Sequence, residues 1–358
     1  MSASQPTRLP PSRVRAFIAE ILAAEGLPQD DAAEVGRLMV EADLLGGDGH
    51  GVFRLPRYVA RLRAGGFNAR PDIRILRERG ATALVDGDDG FGHLVMKRCA
   101  DEAVARARSH GIGWVGARRS NHAGAAGVYA MMALPHDMIG LYLAVGNANH
   151  MAPWGGIELL LSTNPIAVAI PSAGPVPILL DMATTVAAYG KVKLAAERGE
   201  AMPEGWMIDA DGRPLTDPTQ AAGGSLLPIG GPKGYGLALV FGLLAGTLNG
   251  AAMGRDVIDF NADDTSSTNT GQAILAIDVA SFADPQAFKA DVARIAQEMK
   301  SSALRPGFDA IRLPGERALA TRAERETTGI PIPPALLARL DALAAASGVA
   351  PLSAETRA

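Results

Sequence analysis

Cysteine is all but missing from this sequence. Cys99 is the only one in 358 residues, which excludes an intramolecular disulfide framework and any multi-cysteine zinc or iron–sulfur site. Aromatic residues are thin at 5%, so small aliphatic side chains must do most of the packing. No charge of one sign dominates. Lys and Arg number 34 against 38 Asp and Glu, a net charge of −4, and that balance offers no basic field to hold nucleic acid or an anionic membrane. The opening residues, MSASQPTRLPPSRVRAF, lack an apolar run ahead of a small-residue cleavage site and do not read as a secretory signal. A short disordered lead-in is expected there, and the lone cysteine suggests a reducing cytoplasm.

Uninterrupted hydrophobic runs are also wanting. The uncharged stretches 138–157 and 159–180 are cut by Asn147, Asn149, Pro153, Asn164, Pro165, Pro171, Pro175 and Pro177, so they read as buried strands joined by turns. Residues 234–254 carry Gly242, Gly246, Gly250 and Gly254 at every fourth position, a pattern of packed membrane helices. Their apolar part, 237–248, spans only about three turns, so a tightly packed core helix is expected and no membrane span.

What is present is an ordinary globular balance, 48% hydrophobic and 20% charged. Helical punctuation fills the first 65 residues. Ser12 is placed to cap a helix with Val14, Phe17, Ile18, Ile21 and Leu22 on one face, and a second helix starts near residues 29–31. Short apolar runs at 73–76, 83–85, 112–115, 139–145, 166–170, 178–180 and 274–277 then read as strands, with helices near 94–107, 123–134, 185–196 and 235–248 between them. From Pro285 the text is helical again. The expected fold is α+β: a helical domain built from both chain ends, 1–72 with 285–358, around a sheet-containing cofactor-binding domain, 73–284, whose sheet is mixed or antiparallel and not a Rossmann sheet. Residues 262–271, rich in Asp, Ser, Thr and Asn, are the expected mobile loop.

Gly111, Gly113 and Gly116 spell G-x-G-x-x-G, but that signature needs a strand before the glycines and a helix after them. Here a helix precedes and a strand contains them, so a helix-to-strand turn is the better reading. Residues 46–58, GGDGHGVFRLPRY, are richer. If the turn after Gly51 is helical, His50, Arg54 and Tyr58 recur at four-residue spacing and look into one cleft, although Pro56 stands between them. Arginine offers a carboxylate two parallel hydrogen bonds, and histidine exchanges protons near neutral pH. A capped helix with a surface histidine and solvated Arg54 and Arg57 remains the alternative. Residues 120–130, SNHAGAAGVYA, put His122 at a helix start suited to an anion or merely capped. Asp181 ends a buried strand, where an unpaired carboxylate is costly and a histidine is a natural partner. Lys233 enters a helix from the glycine-rich GGPKGYGLALV, which suits a phosphate without being a nucleotide-triphosphate loop. The six histidines form no H-E-x-x-H motif, so no metal site is expected.

Taken in order between Asp43 and Arg317, the segments HGVFRLPRY, SNHAGAAG, PWGG, STNPIAVAIP, LLDMATT, GGPKGYGLA and IRLPGER resemble the malate/L-lactate dehydrogenase family of non-Rossmann oxidoreductases. The resemblance implies hydride transfer between NAD or NADP and C2 of a small 2-oxo or 2-hydroxy acid, in a homodimer with its active site near the subunit interface. It implies that His50 is the acid/base, that Arg54 and Tyr58 contact the substrate carboxylate, that Asp181 orients the histidine, and that His122 matches a second histidine, the base in some members. His122, Thr163, Asn164, Leu179, Leu180, Asp181, Met182, Ala183, Pro232, Lys233, Gly315, Glu316 and Arg317 fall in stretches similar to the family's cofactor-binding ones. Gly49 and Ala123 stand where many members have Ser and Phe, and residues 147–150 depart from a common Thr-Asn pattern, which leaves the substrate open. The alternative chemistry is reduction of a cyclic imine such as piperideine- or pyrroline-2-carboxylate. A cytoplasmic metabolite-binding protein without turnover and a metal-dependent hydrolase are the readings outside it.

Overall fold

The computed structural model describes residues 5–354. Strand β1 (Thr7–Leu9) occupies part of the expected loose lead-in; it pairs antiparallel with Ile330–Ile332, and residues 1–4 lie outside the described residues. Helix α1 (Pro11–Ala24) buries Val14, Phe17, Ile18, Ile21 and Leu22, the stripe expected from the sequence. Ser12 is not its cap. The helix begins at Pro11, whose missing N–H is no loss in a first turn. Helix α2 (Gln29–Leu44) carries Asp30 and Asp31 in its first turn, where the helix dipole favours them. A single 3₁₀ turn, Val52–Arg54, then leads into α3 (Leu55–Ala64), so Pro56 starts this helix and does not break it.

The chain next builds β2 (Arg74–Arg79), β3 (Thr82–Asp86), α4 (Gly92–His110), β4 (Ile112–Ser120), α5 (Ala126–Ala130), β5 (Met138–Ala144), β6 (Ile166–Ile170) and β7 (Ile178–Met182). Helix α6 (Tyr189–Arg198), the two-residue strands β8 (Met207–Ile208), β9 (Pro214–Leu215) and β10 (Ser225–Leu226), helix α7 (Pro232–Ala245) and strand β11 (Thr270–Asp278) follow. The carboxy-terminal part holds α8 (Pro285–Lys300), α9 (Glu316–Thr328), β12 (Ile330–Ile332) and α10 (Pro334–Ser347).

Seven strands form one mixed sheet in the order β2-β3-β4-β11-β5-β6-β7. Every neighbouring pair is antiparallel except β3 with β4. The two-residue period of a strand divides its side chains between two layers. Val115, Ala117, Tyr142 and Ala144 join the alanine-rich core that includes α4 and α5 residues, while Leu143 and Val145 pack with Ala245 of α7. Gly111 closes α4 in a left-handed conformation, with φ 78°. A Cβ on Gly113 would lie 2.1 Å from the Ala103 carbonyl oxygen, so this glycine lets helix and strand touch. The expected helix over 123–134 is divided into α5 and a 3₁₀ segment containing Pro135. A second core joins α1, α2 and α3 with β12 and α10, which brings both ends of the chain to the wall of the site.

Candidate active site

Glycine at position 51 shapes the entry to the site. A Cβ there would fall 1.8 Å from Asp43 Oδ1, so only glycine lets the turn drape over the Asp43 carboxyl, which accepts the Val52 N–H at 2.9 Å. Asp43 is 2% exposed, and burial pushes its carboxyl up to about 8 against the pull of that N–H. The turn projects His50 against His122 from the segment after β4, their rings nearly parallel with centroids 5.5 Å apart. His50 Nδ1 is enclosed without a protein partner. Burial, then the neighbouring Arg54 charge, lowers His50 to about 4. His122 is held well below its ordinary value by burial, Arg54, His50 and His93.

Tyr58 does not face the opening. It is fully buried, and its Oη lies 2.6 Å from His122 Nδ1. The rings of Phe67, Phe91, His93 and Phe260 meet Tyr58 edge-on. His93, on the first turn of α4, is a residue that sequence reasoning passed over. It is 1% exposed with neither ring nitrogen bonded, and burial brings it down to about 3. Only a three-dimensional contact reveals it, because nothing in GFGHLV distinguishes it from a core histidine.

Arg54 is partly open. Its Nε donates to the Gly49 carbonyl at 2.8 Å and its Nη1 to Asn261 Oδ1 at 3.2 Å, leaving guanidinium hydrogens for a ligand. The expected mobile loop is tied down. Arg57 donates to the Phe260 carbonyl at 2.9 Å and pairs with Asp264 at 3.0 Å, while the buried Arg61 donates to the carbonyls of Asp263 and Ser266. These arginines of α3 hold the Phe260 ring 5.3 Å from His122. Phe260 is a second residue that the sequence did not reveal, since 138 positions separate it from His122.

Among the described residues no hydrogen bond joins Asp181 to His50. Asp181 lies on the exposed part of β7 and accepts the Gly127 N–H at 2.8 Å. The other expected cofactor residues follow β7 and its continuation. Thr163 receives the Thr184 N–H at 2.9 Å, and Ile229 donates to the Thr184 carbonyl at 2.9 Å, which carries the Gly230-Gly231 turn to this edge. Pro232 and Lys233 stand exposed at the start of α7. Asn164 is buried and bonded to Gly146 and Ala238, so it supports this edge from within. At the opposite end Leu179 donates to the Pro314 carbonyl at 3.1 Å, and Gly315, at φ 86°, packs against Leu179. Glu316 is engaged by Lys300, whereas Arg317 is exposed. Leu180, Met182 and Ala183 are half-buried between the two ends. From Leu179 to Thr184 extended backbone covers about 17 Å, with Arg317 beside one end and Lys233 beside the other.

Two cavities have no histidine in their lining. One of about 580 Å³ runs along α7 past Pro153, Leu161, Tyr235, Leu239, Leu243 and Met253. The other, about 520 Å³, is framed by residues 303–312. No group of three or more His, Cys, Asp or Glu among the described residues is arranged to hold a metal, and no described helix is long and apolar enough to cross a membrane.

Residues 9–341 match the malate/L-lactate dehydrogenase family. A malate dehydrogenase of Pyrococcus abyssi is 39% identical over 351 residues, covering 96% of this chain and 95% of that protein. An L-sulfolactate dehydrogenase of Methanothermobacter thermautotrophicus is 40% identical, covering 93% and 95%. Among solved structures, the sulfolactate dehydrogenase of Methanocaldococcus jannaschii superposes with a TM-score of 0.90 at 37% identity, covering 96% of this chain and 98% of that one.

Proposed function

We propose a mechanism from the premise that this chain belongs to the malate/L-lactate dehydrogenase family and is an NAD(P)-dependent 2-hydroxy-acid oxidoreductase. Arg54 anchors the C1 carboxylate, His50 exchanges the proton at the C2 oxygen, and the ring of His122 closes the other side of the cleft. The observation that carries this reading is the meeting of two neutral histidines and a partly open guanidinium at one opening. In the direction of oxidation, neutral His50 takes the C2 hydroxyl proton. In reduction its protonated form returns that proton. Nicotinamide, when bound, supplies or accepts the hydride at C2. The residues fit that cofactor. Lys233 at the amino end of a 14-residue helix offers the positive charge that a pyrophosphate favours, and the exposed Arg317 adds a second cation at the other end of this edge. Thr163, Asn164, residues 179–183, Pro232 and residues 315–317 form that binding edge in this reading, and Asp181 serves the cofactor side and not His50.

A homodimer completes the proposal. Helix α7 has no charged residue after Lys233, yet Leu237, Val240 and Leu243 are 41%, 50% and 43% exposed on its outer side. A helix apolar all round is normally covered, and a second copy is the simplest cover. The non-Rossmann use of the sheet, the division into 1–72 with 285–358 and 73–284, and a cytoplasmic setting belong to the same reading. The core that α1, α2 and α3 share with β12 and α10 supports the pairing of the two chain ends, and the single buried thiol of Cys99 supports the setting. Absorbance of NADH and NADPH against a panel of 2-oxo acids and cyclic imines tests the function. His50→Ala is expected to keep cofactor binding and lower turnover by roughly 100- to 10,000-fold. Near-normal turnover in that variant, with loss in His122→Ala, reverses the two roles.

A further inference from the structure

We propose that Tyr58 locks His122 in the tautomer protonated at Nε2, so that His122 offers a fixed hydrogen-bond donor to the C2 oxygen and suits the site to 2-oxo acids over cyclic iminium acids. This inference rests on the cleft being the substrate site. The Tyr58 hydroxyl is fully buried, 2.6 Å from His122 Nδ1, and that nitrogen is its one recorded partner among the described residues. Burial raises the phenol, so it keeps its hydrogen. Were Nδ1 to carry a hydrogen, the hydroxyl hydrogen would be buried without an acceptor, a costly arrangement. The Gly124 N–H points at the same nitrogen from 3.4 Å and also needs an acceptor there. A neutral imidazole has one N–H, and two donors at Nδ1 put it on Nε2.

The charged and titratable neighbours agree with a neutral ring. Arg54, His50, His93 and Tyr58 face His122 from the surrounding elements, and no carboxylate bonds to it among the described residues. His50 differs, because its Nδ1 has no protein partner to choose a tautomer. Proton exchange therefore falls to His50. In reduction C2 gains the hydride supplied by the reduced nicotinamide, the C2=O electron pair moves to oxygen, and that oxygen takes the proton of the His50 imidazolium. The oxidised nicotinamide and neutral His50 remain, and His122 keeps its Nε2 hydrogen, shared with the same oxygen throughout. A cyclic iminium presents an N–H where the ketone presents lone pairs. Two donors then face each other, and specificity arises from that repulsion.

Ring ¹⁵N spectra of the wild-type holoenzyme, with His122 assigned through His122→Gln, test the lock without depending on a fragile variant. The expected spectrum at neutral pH shows His122 Nε2 protonated and Nδ1 accepting. His122→Leu is expected to lose roughly 100- to 1,000-fold in kcat on a 2-oxo acid, the usual worth of one oxyanion donor, with partial recovery in His122→Gln. Tyr58→Phe should move the His122 signals toward a mixture of tautomers and narrow the preference for the oxo acid over the cyclic imine. A wild-type His122 protonated at Nδ1, or a tautomer unchanged in Tyr58→Phe, overturns the inference. Full turnover in His50→Ala would instead remove the acid/base reading while leaving the wild-type spectrum as it is.

Discussion

At the residue scale, Asp43 and the buried histidines respond to pH in opposite senses. His50 and His93 fall to about 4 and about 3 from 6.5, so the unfolded chain takes up protons first on acidification. Their contribution to stability is complete above 6.5 and is lost as pH falls through those values. Asp43 rises to about 8 from 3.8, so the fold prefers its neutral form. Its contribution is complete below 3.8 and is lost as pH rises through about 8. Asp43→Asn, which stays neutral and still accepts the Val52 N–H, should abolish the alkaline fall in melting temperature and leave the acid fall in place. An unchanged alkaline limb would assign that loss to another group. The nearness of His50 and Arg54 was legible in the sequence because local spacing carried it. The partners were not. Asp181 belongs to Gly127, and Tyr58 to His122, because hydrogen bonds are chosen by strand edges and helix faces that meet only after folding.

At the scale of elements, the glycines of G-x-G-x-x-G and those before Lys233 do different work. Gly113 has the Ala103 carbonyl against it, so Gly113→Ala must push α4 away from β4. Overpacking of this kind costs about 1 to 3 kcal/mol. Reduced stability without a selective loss of NAD(P)H affinity is the expected result, whereas Lys233→Ala, at an exposed helix start, should weaken cofactor binding and leave stability alone. Cofactor fluorescence titrations and urea midpoints of both variants check this, and a selective affinity loss in Gly113→Ala would contradict it. All seven strands of the large sheet overlap apolar runs visible in the sequence, because six of them hold buried residues and β2 keeps a short apolar pair, Ile75-Leu76. The strands β8 to β10 are two residues each, too short for any period. The loop over 262–271 reads as mobile from its composition, yet Arg61 is too far away in sequence to reveal that it binds the carbonyls there.

At the scale of the whole molecule, the exposed apolar face of α7 is the surface that a second copy is proposed to cover. Val240→Glu with Leu243→Glu should halve the mass seen by light scattering, and an unchanged dimer would place the contact elsewhere. What holds the functional reading together is the anchoring of a carboxylate by Arg54 beside the histidines. A charge-assisted fork of this kind contributes about 1.5 to 3 kcal/mol, roughly ten to over a hundredfold in affinity. The most direct measurement compares kcat/KM for a 2-oxo acid and for its amide, in wild type, Arg54→Lys and Arg54→Met. Anchoring predicts that the acid loses by that factor in Arg54→Met and recovers only in part in Arg54→Lys, because lysine lacks the fork, while the amide, poor from the start, hardly changes. Equal losses for acid and amide would contradict it and make Arg54 a support of the Gly49 turn and Asn261 alone.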